Sequence, residues 1–117
     1  MNIMADEFYQ ALSDLTRLRV LVLLTREGEL CVCELTHAVG EIQPKISRHL
    51  ALLREYDLVE GRRRGQWIYY RLNPALPSWA HKVLQETVKG VARKAPFQED
   101  YRALRDMPDR PANACCA

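Results

Sequence analysis

The sequence has no apolar run long enough to cross a membrane, and its first residues carry neither a basic leader nor an apolar signal core. We therefore expect a cytoplasmic protein that makes no contact with a membrane. The chain is also too short for several domains, because 117 residues with 48% hydrophobic content are enough for one hydrophobic core. The last part of the chain, rich in proline and small residues, is expected to be a flexible tail.

Cysteine is scarce as well. The four cysteines form two close pairs, Cys31 with Cys33 and Cys115 with Cys116. In a reducing cytosol, such pairs favour metal ligands or reactive thiols over structural disulfides.

A strong excess of charge is absent too, since the net charge is only +2. The charge is nevertheless uneven, because residues 43–71 carry seven basic and three acidic side chains. A positive field concentrated on one segment indicates a nucleic-acid contact there.

The hydrophobic periodicity predicts a mainly α protein with a β-hairpin wing. Helices are expected over residues 6–13, 15–27, 31–39, 43–56 and 78–93, with two strands between residues 58 and 72. The third and fourth helices, joined by a tight turn at Gly40, form a helix-turn-helix, and the hairpin that follows makes it a winged helix-turn-helix. We place this domain at residues 1–95 and the tail with Cys115 and Cys116 at residues 96–117.

The first and last predicted helices carry more apolar positions than a small monomer needs to cover. We expect these helices to pair in a homodimer, which would set two reading helices about 34 Å apart, one turn of DNA. The candidate interface residues are Phe8, Leu12, Trp79, Val83 and Val88.

The polar face of the fourth helix is the predicted reading surface for double-stranded operator DNA. The candidates for base edges are Gln43, Ser47, Arg48 and His49, while Lys45 is expected on a phosphate. Arg62, Arg63 and Arg64 at the tip of the wing are expected to contact phosphates or a narrow minor groove. Trp67, Tyr69 and Tyr70 are interpreted as the core of the wing.

Three motifs together resemble the ArsR/SmtB family, most closely its arsenic-responsive ArsR repressors. They are Glu29-Leu30-Cys31-Val32-Cys33-Glu34-Leu35, Gln43-Pro44-Lys45-Ile46-Ser47-Arg48-His49-Leu50-Ala51-Leu52-Leu53-Arg54 and Gly65-Gln66-Trp67-Ile68-Tyr69-Tyr70-Arg71-Leu72. The resemblance covers roughly residues 7–92. It implies a homodimeric repressor on the operator of an arsenic-resistance operon, with trivalent arsenic or antimony as the inducer and no constitutive cofactor.

The sequence departs from the best-known pattern of these repressors at Thr36, where a third cysteine stands in that pattern. Cys31 and Cys33 are the predicted ligands, because trivalent arsenic is soft and prefers thiolates. The third ligand is left open between Cys115 or Cys116 and a water or other ligand. His81 stands without a second histidine downstream, so a zinc site on the last helix is not expected.

The spacing of Cys31 and Cys33 also predicts how binding is sensed. Residues i and i+2 of a regular helix lie about 200° apart around the axis. Both belong to the predicted third helix, so ligation should distort or unwind its first turn, where unpaired N–H groups make fraying easy. We expect this distortion to weaken DNA binding.

Two other readings of the thiols remain open. In the first, the chain is a winged-helix repressor that senses oxidation by forming disulfides. In the second, it is a repressor that senses cadmium, lead or mercury. An enzyme is not expected, because Glu29 and Glu34 flank the pair where a reactive thiolate requires basic neighbours.

Overall fold

The computed structural model describes residues 3–108 and residue 110. Six helices and three strands are seen there: α1 Ala5–Leu12, α2 Leu15–Glu27, β1 Glu29–Cys31, α3 Val32–Val39, α4 Gln43–Glu55, β2 Val59–Arg64, β3 Trp67–Leu72, α5 Ser78–Val91 and α6 Phe97–Arg105. The boundaries predicted for α2, α4 and the hairpin agree with these to within two residues.

Helix α2 is the centre of the core because its stripe of aliphatic residues is almost completely buried. Val20, Leu21, Leu23 and Leu24 have at most 1% of their surface exposed. Asp14 is the N-cap of α2, and its side chain accepts a hydrogen bond from the Arg17 backbone N–H at 3.0 Å. Helices α3, α4, α5 and α6 all pack against it.

The helix-turn-helix lies where the sequence predicts it. Helix α3 ends at Gly40 in a left-handed conformation, with φ +74°, which glycine adopts without strain. Helix α4 buries Ile46, Leu50 and Leu53, the three positions of its predicted apolar stripe.

The wing is a three-stranded antiparallel sheet rather than a two-stranded hairpin. Its order is β1-β3-β2, and β1 adds Glu29, Leu30 and Cys31 opposite residues 69–71 of β3. The sequence prediction missed β1, because three residues are too few to show a periodicity of two. The strand joins the first thiol directly to the wing.

The predicted tail boundary at residue 96 is wrong. Residues 97–105 form helix α6, which packs on α2 and α3. Phe97 and Leu104 are buried, and the Asp100 carboxylate receives two hydrogen bonds from the Arg19 guanidinium, at 2.6 and 2.8 Å. A nine-residue helix between prolines, stabilised by one buried ion pair, has too short an apolar pattern to stand out in the sequence.

None of the helices within the described ranges is long and apolar enough to span a bilayer.

Candidate thiol site and nucleic-acid interface

The Sγ atoms of Cys31 and Cys33 lie 3.0 Å apart. Both cysteines are free thiols, Cys31 buried and Cys33 half-buried. The sequence pairs them, and the structure brings them into contact.

The predicted unwinding of α3 is not needed for this contact. Cys31 is the last residue of β1 and the N-cap of α3, with extended backbone angles of φ −84° and ψ 166°. The argument from 200° of helical rotation applies only when both residues are helical, so the strand-to-helix corner removes it. The two sulfurs face one another with α3 intact.

Glu34 completes the corner in a way the sequence analysis missed. Its fully buried carboxylate accepts a hydrogen bond from the Cys31 backbone N–H at 2.9 Å. Its other oxygen accepts one from Arg110 Nε at 2.7 Å. The signal available in the sequence was a glutamate three positions after a helix start, the acidic half of a capping box.

Burial raises the pKa of the Cys31 thiol well above its ordinary value, and the hydrogen bond with Cys33 adds to this effect. At neutral pH Cys31 is therefore protonated in the ligand-free protein. A soft ion that binds both sulfurs must displace this proton, since the ligand is the thiolate.

The described residues close to the thiol pair do not complete a three-ligand site with Cys31 and Cys33. The Thr36 hydroxyl donates to the Val32 carbonyl at 2.8 Å, and the His37 side chain is exposed. Within residues 3–108 and 110, no cluster of three or more cysteine, histidine or acidic side chains could hold a metal ion. Cys115 and Cys116 lie outside the described residues.

The polar face of α4 is partly as predicted. Gln43, Ser47 and Arg48 are exposed, whereas Lys45 is half-buried and forms an ion pair with Glu41 at 3.0 Å. The surface that these residues form, together with the wing arginines, is called the basic face below.

His49 does not belong to the basic face. Its side chain is 15% exposed and turns toward the start of α2, where its ring lies 3.9 Å from an Asp14 oxygen and 3.5 Å from Arg17 Nη1. Burial lowers the pKa of His49, in spite of the opposing effect of Asp14. The His49 ring faces the start of α2, whereas Ser47 and Arg48 are exposed, so a contact of His49 with a base edge stays a prediction.

The three wing arginines are exposed, as predicted. Arg62 donates two hydrogen bonds to the Glu29 carboxylate, at 2.9 and 3.0 Å, and Arg64 lies 3.5 Å from the same group. The Arg64 guanidinium also lies over the Tyr69 ring, at 4.7 Å from its centroid.

The aromatic residues of β3 divide into two groups. Tyr69 and Tyr70 are buried, as predicted for a wing core. Trp67 is half-buried, and its indole N–H has no hydrogen-bond partner among the described residues. Trp67 and Tyr70 both line a cavity between α3, α4 and the wing that also reaches Cys33.

The residues predicted for a dimer interface do not share one environment. Phe8 is completely buried inside its own chain, where it stacks edge-on against Trp79 with ring centroids 5.1 Å apart, so the expectation of an intermolecular role for it is wrong. Leu12 and Val83 are partly buried against the core, and Val88 is half-buried. Trp79 is 40% exposed, and Met4 and Tyr9 are also exposed; the rings of Tyr9 and Trp79 both contact the ring of Phe8.

Comparison with known proteins gives a consistent group of relatives. The profile of the bacterial regulatory protein, arsR family, matches residues 14–61. The arsenic resistance transcriptional regulator ArsR2 of Pseudomonas putida is 47% identical over 112 residues, covering 94% of this chain and 96% of that protein. The arsenical resistance operon repressor of Escherichia coli is 51% identical over 99 residues, covering 79% and 85% of the two chains.

Solved structures agree with the fold. HlyU from Vibrio cholerae superposes with a TM-score of 0.68 at 27% identity, covering 76% of this chain and 92% of that chain. A homodimeric winged helix-turn-helix DNA-binding domain from Mycobacterium bovis gives 0.61 at 31% identity, covering 74% and 76%. The predicted winged helix-turn-helix is thus confirmed.

The relatives are transcriptional regulators rather than enzymes, in agreement with the sequence analysis. The two named relatives are 47% and 51% identical to this chain over most of its length. The chain therefore belongs to the ArsR family of bacterial regulatory proteins.

Proposed function

We propose that this chain is a cytoplasmic, homodimeric repressor of an arsenic-resistance operon, released from its operator when trivalent arsenic or antimony binds Cys31 and Cys33. The observation that carries the proposal is the pair of free thiols 3.0 Å apart at the corner between β1 and α3. Two relatives carry arsenic or arsenical resistance in their names, which supports the choice of inducer.

The thiol pair suits a soft ion that accepts few ligands. Thiolate is the donor that such ions select over carboxylate or imidazole. Because the corner already holds both sulfurs on one side of the chain, binding does not require the ordering of a flexible loop. Cys31 is buried beside the wing and Cys33 is half-buried, so an ion can approach the pair from the side of Cys33.

A third ligand is proposed from the C-terminal residues or from solvent. Arg110 is bonded to Glu34, whose carboxylate also caps the backbone N–H of Cys31. Cys115 follows Arg110 by five positions, a stretch that spans up to about 17 Å when extended. Cys115 or Cys116 can therefore reach the pair without displacement of Arg110.

The route from ligand to DNA follows two physical connections. Strand β1 pairs with β3, placing Cys31 opposite Tyr69 of the wing, and α3 packs against α4. A shift at the corner therefore reaches both parts of the basic face. A coupling of about 1–3 kcal/mol, or 5–150-fold in DNA affinity, is an ordinary allosteric magnitude.

The proposed dimer joins the exposed apolar surface of α1 and α5, centred on Tyr9 and Trp79. The core contact of Phe8 with Trp79 fixes α1 on α5, so the two helices present one surface. A two-fold axis through this surface gives each dimer two copies of α4, suited to a palindromic operator.

Fluorescence anisotropy of the reduced protein on DNA from its own promoter, titrated with arsenite, tests the proposal. The wild type should release the DNA, and Cys33→Ser should bind DNA as tightly but not release it. Cys115→Ser/Cys116→Ser asks a separate question about the third ligand. Release at wild-type arsenite concentrations would leave that position to solvent, and loss of release would assign it to one of these cysteines. Release by Cys33→Ser at wild-type arsenite concentrations would contradict the site assignment.

The same titration separates the alternative inducers. Release by cadmium, lead or mercury at lower concentration than by arsenite would change the identity of the inducer while keeping the site. Close contact between the sulfurs also favours a redox sensor as the second candidate. In that case an oxidant releases the DNA and added reductant restores binding. The response to arsenite, by contrast, should persist in the presence of a reductant that contains no thiol.

A further inference from the structure

A cavity of about 460 Å³ lies between α3, α4 and the wing, directly beside Cys33. Its size is within the range of small-molecule sites. Apolar and aromatic groups form much of its lining, together with the polar side chains of Gln43, Ser47, Arg54 and Gln66. The wall residues are Val32, Cys33, Ala51, Trp67, Ile68 and Tyr70.

The valence of arsenic connects this cavity to the thiol pair. Trivalent arsenic forms three bonds, so an arsenic atom held by two thiolates has one substituent left. In inorganic arsenite this substituent is a hydroxyl group, but in an organoarsenical it is carbon. Cys33 contributes to the thiol pair and to the cavity wall, so a substituent on the bound arsenic has an apolar space next to it.

We propose that this cavity receives the aromatic substituent of a trivalent organoarsenical bound through Cys31 and Cys33. The inference rests on the proposed function, since it uses the same two sulfurs. It adds a second recognition element, specific for an organic group, to a site otherwise specific for arsenic alone.

The binding reaction balances without an oxidant or reductant. An aryl arsenous acid has two hydroxyl groups on arsenic. Two As–O bonds break as two As–S bonds form, and the thiol protons leave with the hydroxyl groups as two water molecules. Arsenic stays trivalent, and the aryl–arsenic bond is untouched.

Two aromatic side chains of β3 belong to the cavity lining. The rings of Trp67 and Tyr70 offer aromatic surfaces to a bound aryl group.

The location of the cavity has a consequence for release from DNA. Gln43 and Ser47 line it from α4, and Gln66 to Ile68 line it from the wing. An aryl group there lies against both parts of the basic face. We therefore expect an aryl arsenical to release the operator at lower concentration than arsenite does.

The test compares phenylarsine oxide with arsenite in direct binding measured by calorimetry on the full chain, with a reductant that contains no thiol. Ala51→Leu fills the cavity from an exposed helical position, so the fold tolerates it. We expect this variant to lose about tenfold or more in affinity for phenylarsine oxide while its affinity for arsenite stays within about twofold. Ala75→Leu, at an exposed turn away from the cavity, is the matched control and should bind both probes as the wild type does.

A second variant makes the test independent of Ala51. Ile68→Ala removes part of the cavity wall from a residue that is 39% exposed, and should also weaken phenylarsine oxide selectively. If neither variant changes the phenylarsine oxide affinity, or if both probes weaken equally, the cavity does not hold the ring. Cys33→Ser distinguishes this failure from failure of the proposed function, because loss of the thiol site abolishes binding of both probes only if that site is correct.

Discussion

Glu29 and Arg62 form a two-point ion pair between the strand that ends in Cys31 and the outer strand of the wing. Both hydrogen bonds are short, at 2.9 and 3.0 Å, and Arg62 holds the pKa of the Glu29 carboxyl below its usual value. Arg62 is nevertheless 61% exposed, so water screens the pair and its contribution to stability is small. Its larger effect is on the field that the wing presents to DNA.

Glu29→Gln should therefore tighten DNA binding. The change removes a negative charge from the basic face and frees Arg62 and Arg64 for phosphates. For each additional phosphate contact, the slope of log affinity against log salt should steepen by about one unit. Anisotropy titrations at several salt concentrations measure both quantities.

Asp106→Asn is the control for this effect, because Asp106 pairs with Arg105 at the exposed end of α6, outside the proposed dimer surface. It removes the same charge away from the basic face and should leave the salt slope unchanged. Weaker binding by Glu29→Gln would mean instead that the carboxylate holds Arg62 in its DNA-contacting position.

Cys31→Ser should abolish release by arsenite with little loss of stability. Cys31 is the N-cap of α3, where serine is preferred because its oxygen accepts a hydrogen bond from the first turn. The Glu34 contact uses the backbone of residue 31 and survives the change. Thermal unfolding and arsenite titration of the DNA complex check the two halves of the prediction, and an unfolded variant would contradict the first.

Arg48→Ala and His49→Ala should separate reading from packing on adjacent residues of α4. Arg48 is exposed, so its loss should weaken specific operator binding by about 1–3 kcal/mol, the value of one good base contact, without a change in Tm. His49 packs beside Asp14 and Arg17, so its loss should lower Tm while the salt slope of DNA binding is kept. The opposite pattern would restore His49 to the reading surface.

The parts of the fold that the sequence predicts well are those with a long, regular pattern. Helix α2 shows a wide aliphatic stripe. Helix α4 shows a narrow one and is preceded by a glycine-containing turn. Strand β1 and helix α6 were missed, because three residues and nine residues do not carry a clear period. The buried pair of Arg19 and Asp100, 81 positions apart, is a tertiary contact that no local pattern reveals.

The site shows the same division. The pair of Cys31 and Cys33 was visible from residue type and spacing, and so was the basic character of residues 43–71. The relative position of the sulfurs was not, because it depends on where β1 ends and α3 begins. A shift of one residue in that boundary decides between two opposed sulfurs and two in contact.

Asp100→Ala should cost about 3–5 kcal/mol of unfolding free energy, because it leaves the Arg19 guanidinium without its carboxylate in a largely buried position. The double variant Arg19→Met/Asp100→Leu should recover much of the loss, since apolar groups of similar volume need no counter-charge. Urea denaturation followed by circular dichroism measures both. A cost for Asp100→Ala near that of a surface pair, below about 1 kcal/mol, would show that α6 does not depend on this contact.

The pH dependence of stability should report the start of α2 through Asp14. The Arg17 backbone N–H, helped by the charges of His49 and Arg17, holds the pKa of Asp14 below the ordinary 3.8. A carboxyl group whose pKa is lower in the folded chain stabilises the fold fully above the unfolded pKa, and this contribution is lost as pH falls through the folded pKa.

Asp14→Ala should therefore lower the unfolding free energy by about 1 kcal/mol at neutral pH, the usual value of an N-cap. The difference from the wild type should shrink as the pH falls below the ordinary pKa of 3.8. Asp14→Asn keeps the cap but not the charge, so it should lose less at neutral pH than Asp14→Ala does. Urea unfolding of the three proteins across this range gives the curves, and a difference between Asp14→Asn and wild type that grows as pH falls would contradict the lowered pKa.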